Sequence, residues 1–243
     1  MKKLETVQHH IVQYQESDFK GQFRQATLFS LFADLATQNA IEVGIWHDDL
    51  ENHCGWVLSK RTMVFNRPIK AGEHIDLVTC VKGGSRVQFS RTYEIRQEEK
   101  ILGGGFSLWT LIDLKSRKIV RPQDVGITIP KVEDYPCIVD RYHKIRKDIE
   151  LEYIKTREVV YSDVDINQHM NNYRYVEWAL DLIPFEIYRQ YDIKEMSVHY
   201  IQEILPGSQV QLYLGKEHQD IKIVFKVADK TCFEMAVILQ DRG

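Results

Sequence analysis

The chain has 243 residues, of which 44% are hydrophobic, and a formal net charge of −3. Its length suits one large domain or two of roughly 120 residues each. The charge and the lack of an extended basic run argue against a nucleic-acid partner. No apolar run approaches the roughly 18 residues that indicate a membrane span. The charged N-terminus lacks the apolar core of a secretory signal, and four scattered cysteines without a CxxC pair fit a reducing compartment. We therefore expect a cytoplasmic protein.

Two helices are predicted, one in each half. Residues 26–43 place apolar side chains at helical spacing, and the stretch after Asn172 does the same as far as Ile183. Pro184 is expected to interrupt the second helix. Strand-like segments follow each helix, at residues 56–65, 74–81, 86–95 and 105–114 in the first half and at 196–204, 209–215, 221–228 and 232–239 in the second. Each half therefore predicts a strand, a long helix and then several antiparallel strands.

A nine-residue motif, I-x-x-G-x-x-[IV]-x-L, occurs in both halves, at Ile69–Leu77 and Ile204–Leu212. The segments before the helices also correspond, because Glu16-Ser17-Asp18 precedes the first helix and Tyr161-Ser162-Asp163 precedes the second. Two matches in the same order indicate a duplicated unit. Chance similarity between two strand–turn–strand segments is the alternative.

The two halves predict an α+β fold made of tandem units. We expect one unit at residues 1–130 and another at 150–243, each a long helix wrapped by an antiparallel sheet and the two packed as a pseudo-dimer. Residues 131–149 are highly charged, contain Pro136 and are interpreted as the connecting segment.

The polar stretch YSDVDINQHMNN precedes the second helix. It matches the first three ligand positions of a calcium-binding EF-hand loop, but Gln168 and Arg174 stand where that loop requires Gly and Glu. Asp165 and His169 are four residues apart and could share a metal ion, yet no second His or Cys cluster lies nearby in sequence. Calcium is therefore excluded, and no metal or cofactor is expected.

Helix capping accounts for one or two of these polar residues, but it does not require Asp165, Asn167 and His169 together. The matched stretch of the first half, SDFKGQFRQAT, keeps Ser-Asp and lacks D-x-N-x-H. Glu203 ends the segment SVHYIQE, whose alternation places it on one strand face. Alignment of the two nine-residue motifs puts Pro68 at the place of Glu203. We interpret the four polar residues as a functional group that only the second half carries.

At these residues the chain resembles the acyl-acyl carrier protein thioesterases, a family with tandem hotdog folds. The resemblance rests on D-I-N-Q-H-M-N-N at Asp165–Asn172, and H-Y-I-Q-E and the segment Gly55–Arg61 support it. It implies hydrolysis of fatty acyl thioesters on acyl carrier protein, which releases free fatty acid and ends fatty acid synthesis. It also implies a bacterial member, because plant members carry a plastid transit peptide.

The resemblance further implies that Asp165, Asn167, His169 and Glu203 are catalytic. Plant members have Cys directly after that Glu, and Ile204 stands here, so a thiol nucleophile at this position is excluded. We expect water, activated by Asp165 or Glu203, to attack the thioester carbon, and a covalent carboxylate intermediate stays open. Backbone N–H groups at the start of the second helix are expected to stabilise the oxyanion.

In the resembling family, residues of the first hotdog largely set the acyl chain length. Candidate tunnel walls, for which ordinary core packing is the alternative reading, are Phe29, Phe32, Trp56, Met63 and Phe65. The acidic carrier protein should dock on a local basic patch. Candidates for that patch are Lys144, Arg146, Lys147 and Arg174. A homodimer is compatible with the sequence.

Three rival functions stay open: an acyl-CoA thioesterase of the hotdog superfamily, a hotdog dehydratase that acts on hydroxyacyl thioesters, and a non-enzymatic acyl-binding module. The D-x-N-x-H-x-N-N string argues against the dehydratase. The contrast between the halves argues against a mere binding module, because a binding module would have no need for the polar residues that only the second half carries.

Overall fold

A computed structural model describes residues 4–47, 50, 53–130, 132 and 137–242. The chain forms two compact units, Met1–Tyr142 and His143–Gly243. Part of the predicted connecting segment, residues 131 and 133–136 with Pro136, lies outside the described residues. Among the described residues, no helix has the length and apolar character needed to cross a membrane.

The first unit is an antiparallel sheet with one long helix. Its strands are β1 (Glu5–Ile11), β2 (Cys54–Phe65), β3 (His74–Gly84), β4 (Phe89–Gln97) and β5 (Lys100–Asp113). They pair in the order β1–β3–β4–β5–β2. Helix α1 (Gln25–Val43) packs against β1 and β3. Short 3-10 helices lie at Tyr14–Glu16 and Pro122–Val125.

The second unit repeats this plan. Its strands are β6 (Glu152–Glu158), β7 (Tyr191–Tyr200), β8 (Gln209–Glu217), β9 (Asp220–Val227) and β10 (Lys230–Asp241). They pair in the order β6–β8–β9–β10–β7, which is the order of the first unit. Helix α2 (Asn172–Leu180) packs against β10, α3 (Phe185–Gln190) packs against β7, and a 3-10 helix lies at Tyr161–Asp163. The predicted duplication is confirmed by this shared topology.

The predicted first helix is confirmed almost to the residue. Helix α1 buries Leu28, Phe32 and Leu35, each at 1% exposure or less, which are three of its periodic apolar positions. Burial of each such side chain is worth about 1.5–3 kcal/mol. Gly44 ends the helix in the left-handed conformation (φ +80°), which glycine adopts without a steric penalty.

The second helix is shorter than predicted. It ends at Leu180, and the backbone then turns towards Pro184, which is the N-cap of α3. Proline disfavours helical conformation in the residue before it. Leu182 and Ile183 are still buried, at 8% and 4% exposure. Their apolar spacing therefore reflects packing in a turn and not a continued helix.

The glycines of the repeated motif make the same turn in both units. Gly72 and Gly207 have φ of +82° and +75°. The N–H of Gly72 donates to the Val12 carbonyl at 2.8 Å, and that of Gly207 donates to the Val159 carbonyl at 2.9 Å. A positive φ strains any residue with a Cβ, which explains why the motif keeps glycine at this place.

Candidate active site

The D-x-N-x-H motif forms a small closed loop before α2. Val164 and Met170 pair across its base. The Asp165 N–H donates to the His169 carbonyl at 2.9 Å, and Gln168 adopts a left-handed conformation with φ of +62°. The loop therefore places residues 165 and 169 side by side at its base.

A buried carboxylate anchors this loop to α2. Asp163 is 1% exposed. One of its oxygens accepts the Val160 N–H at 3.0 Å and the other accepts the indole N–H of Trp178 at 3.1 Å. Its carbonyl accepts the Asn171 N–H at 2.8 Å. Because the loop is fixed at this point, its motif side chains have a defined direction.

Asn171 is the N-cap of α2. Its side-chain oxygen accepts the Tyr173 N–H at 3.2 Å, and its carbonyl accepts the Arg174 N–H at 2.9 Å. These two N–H groups are therefore engaged within the protein. The expectation that the start of this helix supplies the oxyanion donors is wrong for both of them.

His169 and Glu203 meet beside the loop. The Nε2 atom of His169 lies 3.3 Å from Oε2 of Glu203, and their side chains are 24% and 38% exposed. The residues that follow them are joined as well, since the Met170 N–H donates to the Ile204 carbonyl at 2.9 Å. The pair is therefore within hydrogen-bonding range, partly shielded and open to a ligand.

Glu203 lies outside the strand in which it was predicted. Strand β7 ends at Tyr200, and the N–H groups of Ile201 and Gln202 both donate to the Cys232 carbonyl, at 2.9 and 3.1 Å. The alternation of residues 197–203 therefore stops before Glu203, which lies in the irregular segment leading to Gly207. The direction of the Glu203 carboxylate is therefore set by this irregular segment and not by the alternation of a strand.

The carboxylate of Asp165 takes part in the loop itself. Its Oδ1 accepts the Asn167 N–H at 2.8 Å. Asn167 lies at the exposed tip of the loop, and Asp165 is half-buried. A short aspartate that binds the N–H two residues ahead forms an Asx turn. This contact gives Asp165 a structural task that the sequence alone did not reveal.

The first unit contains the same loop. The Asp18 N–H donates to the Gln22 carbonyl at 2.7 Å, and Gly21 has φ of +69°. The Oδ1 of Asp18 accepts the N–H groups of Lys20 and Gln22 at 2.8 and 2.9 Å. This pattern repeats the turn of the second unit.

These hydrogen bonds correct the sequence alignment of the two loops by two residues. Asp18 corresponds to Asp165 and not to Asp163, so the prediction that the first unit lacks this acid is wrong. The shared Ser-Asp dipeptide was a coincidence. The remaining loop positions correspond as Lys20 to Asn167, Gly21 to Gln168 and Gln22 to His169.

The correspondence of Glu203 with Pro68 does hold. The Phe23 N–H donates to the Ile69 carbonyl at 2.7 Å, as the Met170 N–H does to the Ile204 carbonyl. Pro68 therefore occupies the place of Glu203. At these positions the second unit has three groups that the first unit lacks: the imidazole of His169, the carboxylate of Glu203 and the amide of Asn167. The aspartate occurs in both units.

The five candidate tunnel residues belong to the first unit. Phe29, Phe32, Met63 and Phe65 are buried, and Trp56 is half-buried. The guanidinium of Arg61, itself 1% exposed, lies 5.1 Å from the ring centre of Phe29. Trp56 donates from its indole N–H to the Ile45 carbonyl at 3.3 Å. All of them take part in core packing, and a role as tunnel walls stays a prediction.

One open cleft of about 360 Å³ lies near the edge of the first sheet. Its lining is largely polar and charged: His9, His74, Ile75, Asp76, Arg96, Gln97, Glu98 and Lys100. Acyl-chain sites are lined predominantly by apolar side chains. This cleft is therefore unsuited to a fatty acyl chain.

Two candidates for the basic docking patch are already paired. Arg146 contacts the carboxylates of Asp148, Glu217 and Asp220. Arg174 contacts Glu177 and donates to the Ser162 carbonyl at 3.0 Å. Their charges are therefore largely compensated within the protein. The other two candidates, Lys144 and Lys147, are exposed.

The four cysteines are free thiols, and Cys54, Cys80 and Cys232 are buried. Burial raises the pKa of the Cys80 thiol to about 11 and also raises the pKa values of Cys54 and Cys232. Their thiols are therefore poor nucleophiles near neutral pH. Within the described part of the chain, no three His, Cys, Asp or Glu side chains are grouped so that they could hold a metal ion.

Similar proteins carry the same fold. The acyl-ACP thioesterase of Bacteroides thetaiotaomicron is 22% identical, with a TM-score of 0.84 over 97% of this chain and 98% of that one. The 12:0-ACP thioesterase of Umbellularia californica is 16% identical, with a TM-score of 0.82 over 100% and 99%. These likenesses support the tandem hotdog fold.

Sequence comparison gives a more specific result. A chloroplastic acyl-[acyl-carrier-protein] hydrolase of Cuphea viscosissima is 24% identical over 73% of this chain and 46% of its own length. A chloroplastic dodecanoyl-[acyl-carrier-protein] hydrolase of Cinnamomum camphora is 37% identical over 64% of this chain and 43% of its own length. The chain thus spans less than half the length of these two relatives. The model of the acyl-ACP thioesterase N-terminal domain matches residues 3–126, and that of the C-terminal domain matches 142–236. The chain belongs to the acyl-ACP thioesterase family.

Proposed function

We propose that the chain hydrolyses fatty acyl thioesters of acyl carrier protein to free fatty acid and carrier protein. The observation that carries this proposal is the His169–Glu203 contact of 3.3 Å in a partly exposed site of the second unit. Membership of the acyl-ACP thioesterase family supports the choice of substrate. Asp165, Asn167, His169 and Glu203 form the proposed site.

Glu203 is the proposed general base. It removes a proton from water while the water oxygen attacks the thioester carbon, and His169 orients the carboxylate and the water. The carbon–sulfur bond then breaks, and the sulfur leaves as a thiol because Glu203 gives it the proton taken from water, which returns Glu203 to its carboxylate form. We prefer Glu203 to Asp165 because the Asp165 oxygen accepts the Asn167 N–H, in the same way as its counterpart accepts a backbone N–H in the first unit.

The oxyanion of the tetrahedral intermediate needs hydrogen-bond donors. Asn167 presents its side chain at the exposed tip of the loop, and an amide NH₂ is a suitable donor. His169 supplies a second donor when its ring carries a proton on the nitrogen that faces the substrate. We assign these two side chains to the oxyanion in place of the N–H groups that Asn171 binds.

We propose that the first unit, residues 1–130, is the scaffold and the chain-length determinant, that residues 131–149 connect the units, and that residues 150–243 form the catalytic unit. The acyl chain would lie along Phe29, Phe32, Trp56, Met63 and Phe65. The exposed Lys144 and Lys147 are the proposed docking contacts for the acidic carrier. The four free thiols support a cytoplasmic location.

The experiment is a comparison of kcat/KM on acyl carrier protein loaded with acyl chains of rising length and on coenzyme A esters of the same chains. We expect a higher kcat/KM on the carrier substrates, with a maximum at one chain length. Equal or better turnover of the coenzyme A esters would favour the acyl-CoA thioesterase alternative. Absence of hydrolysis on both series would contradict the proposed activity.

A further inference from the structure

Hydrogen bonds hold the segment that carries Glu203 at both of its ends and at Ile204. It leaves the sheet after Tyr200, where Ile201 and Gln202 bind the Cys232 carbonyl, and it returns at Gly207, which donates to the Val159 carbonyl at 2.9 Å. Between these points Ile204 has both of its backbone polar groups bound. The orientation of Glu203 therefore depends on how its neighbour Ile204 is fixed.

Two different groups bind Ile204. Its carbonyl accepts the N–H of Met170, the residue after His169, at 2.9 Å. Its N–H donates to the hydroxyl oxygen of Tyr175 on α2, also at 2.9 Å. The first contact ties the segment to the histidine loop. The second prevents rotation about that single tie, because it holds the peptide plane between Glu203 and Ile204 directly.

Tyr175 is itself rigidly placed. It is 3% exposed, and its ring packs edge-on against the ring of Tyr200, with the ring centres 5.6 Å apart. The ring centre of Phe233 lies 5.2 Å from that of Tyr175. Burial raises the pKa of its hydroxyl, and the nearby Glu203 carboxylate acts in the same direction. Tyr175 is therefore a neutral phenol at physiological pH, with an oxygen able to accept the peptide N–H.

The first unit provides an internal comparison. Tyr175 lies four residues after the N-cap of α2, and Leu28 lies four residues after the N-cap of α1. The first unit keeps the backbone contact at Ile69 but has Leu28 and Pro68 where the second has Tyr175 and Glu203. The Tyr175 hydroxyl thus occurs in the unit that also has the Glu203 carboxylate.

We propose that Tyr175 is a positioning residue, whose hydroxyl fixes the Ile204 peptide and so holds Glu203 within reach of His169. This inference rests on the proposed hydrolysis. Misplacement of a reacting group by about 1 Å can lower turnover roughly 10²-fold. Loss of the hydroxyl alone should therefore lower kcat about 10- to 100-fold, and KM should change little because no substrate-binding group is removed.

The test compares the wild-type chain with Tyr175→Phe and with the control Tyr188→Phe. The control also loses one hydroxyl in the second unit, one that donates to the Leu180 carbonyl at 2.8 Å at the far end of α2. We expect Tyr175→Phe to lower kcat with KM nearly unchanged, to lower the unfolding temperature by only a few degrees because one buried N–H loses its acceptor, and to speed hydrogen exchange of the Ile204 amide. Tyr188→Phe should retain wild-type kcat.

The outcomes separate this inference from the proposed function. Wild-type kcat in Tyr175→Phe would overturn the positioning role while leaving the hydrolase intact, and equal losses in both variants would overturn it as well. A wild-type chain that hydrolyses no acyl carrier substrate would refute the proposed function and the inference with it. In a Glu203→Gln background, Tyr175→Phe should lower the residual rate no further, because both changes act on one group.

Discussion

Asp18 and Asp165 occupy the same position in two copies of one loop, and the Oδ1 of each accepts the N–H two residues ahead at 2.8 Å. An aspartate that occurs in both units serves the shape of the loop. The histidine at 169 and the glutamate at 203 have no such counterparts, since Gln22 and Pro68 stand in their places. The proposed chemistry of the second unit therefore rests on that pair.

The first prediction separates the turn role of Asp165 from a role as base. Asp165→Asn keeps an oxygen for the Asn167 N–H, so it should keep turnover within about 10-fold of wild type, whereas Asp165→Ala should fall about 10²-fold or more. The measurement is kcat on one acyl carrier substrate. Asp18→Ala is the control, with unfolding free energy lowered by about 1 kcal/mol and wild-type kcat. Asn and Ala variants with equal losses would instead make Asp165 the base.

The second prediction uses the residue that the first unit has in the place of His169. His169→Gln introduces a side chain that the equivalent loop already accommodates at Gln22. It should fold with nearly wild-type stability and lower kcat by about 10²–10⁴-fold at every chain length, as loss of an acid–base group does. The checks are thermal unfolding and hydrolysis over the substrate panel. Turnover within twofold of wild type would remove His169 from the mechanism.

The third prediction concerns acyl chain length. Trp56→Phe shortens a half-buried side chain and removes its hydrogen bond to the Ile45 carbonyl. It should shift the preferred chain length while turnover on some substrate stays near the wild-type rate. The measurement is the ratio of kcat/KM values across the panel. A uniform loss on all substrates would mean that Trp56 only supports the core.

The fourth prediction is that the thiols are dispensable. With a pKa of about 11, the Cys80 thiol is almost entirely protonated at pH 8, and burial raises the pKa values of Cys54 and Cys232 too. A thiol-blocking reagent should modify the half-buried Cys137 first and leave hydrolysis largely intact. Mass spectrometry and activity are followed together. Complete inactivation in step with modification of one cysteine would contradict the water mechanism.

The fifth prediction concerns acid stability of the first unit. The hydrogen bond from Arg67 holds the pKa of Glu73 below its ordinary value. A carboxylate with a lowered folded-state pKa adds stability above its unfolded pKa of about 4.3, and this stability is lost as the pH falls through the folded value. Glu73→Gln should therefore unfold more readily at neutral pH and lose less stability between neutral and acidic pH. Parallel pH–stability curves for both proteins would contradict this.

Sequence patterns predicted the parts of the fold that local physics determines. The 3.6-residue apolar period predicts a helix at residues 26–43, and the observed helix is Gln25–Val43. The end of β7 could not be read from alternation, because it depends on two N–H groups that turn to the distant Cys232 carbonyl. The sequence alignment of the two loops was wrong for a similar reason, since their correspondence is defined by backbone hydrogen bonds and not by a shared dipeptide.

The sequence predicts the candidate site as a set of residues and not as an arrangement. Two motifs far apart in sequence indicated His169 and Glu203, but no sequence pattern states that they approach to 3.3 Å. The sequence does not single out Tyr175, whose positioning role is proposed here, because an aromatic residue on a buried helix face is normally core. The signal that could have found it is the contrast with Leu28 once the loops are correctly aligned.

The role of Glu203 as general base is tested by the rate at which Glu203→Gln releases fatty acid from an acyl carrier substrate that the wild type hydrolyses. The control is Glu158→Gln on β6, an exposed residue of the same unit that accepts a hydrogen bond from Gln209. We predict a fall in kcat of about 10²–10⁴-fold for Glu203→Gln and none for the control. Wild-type turnover by Glu203→Gln would show that Glu203 is not the general base.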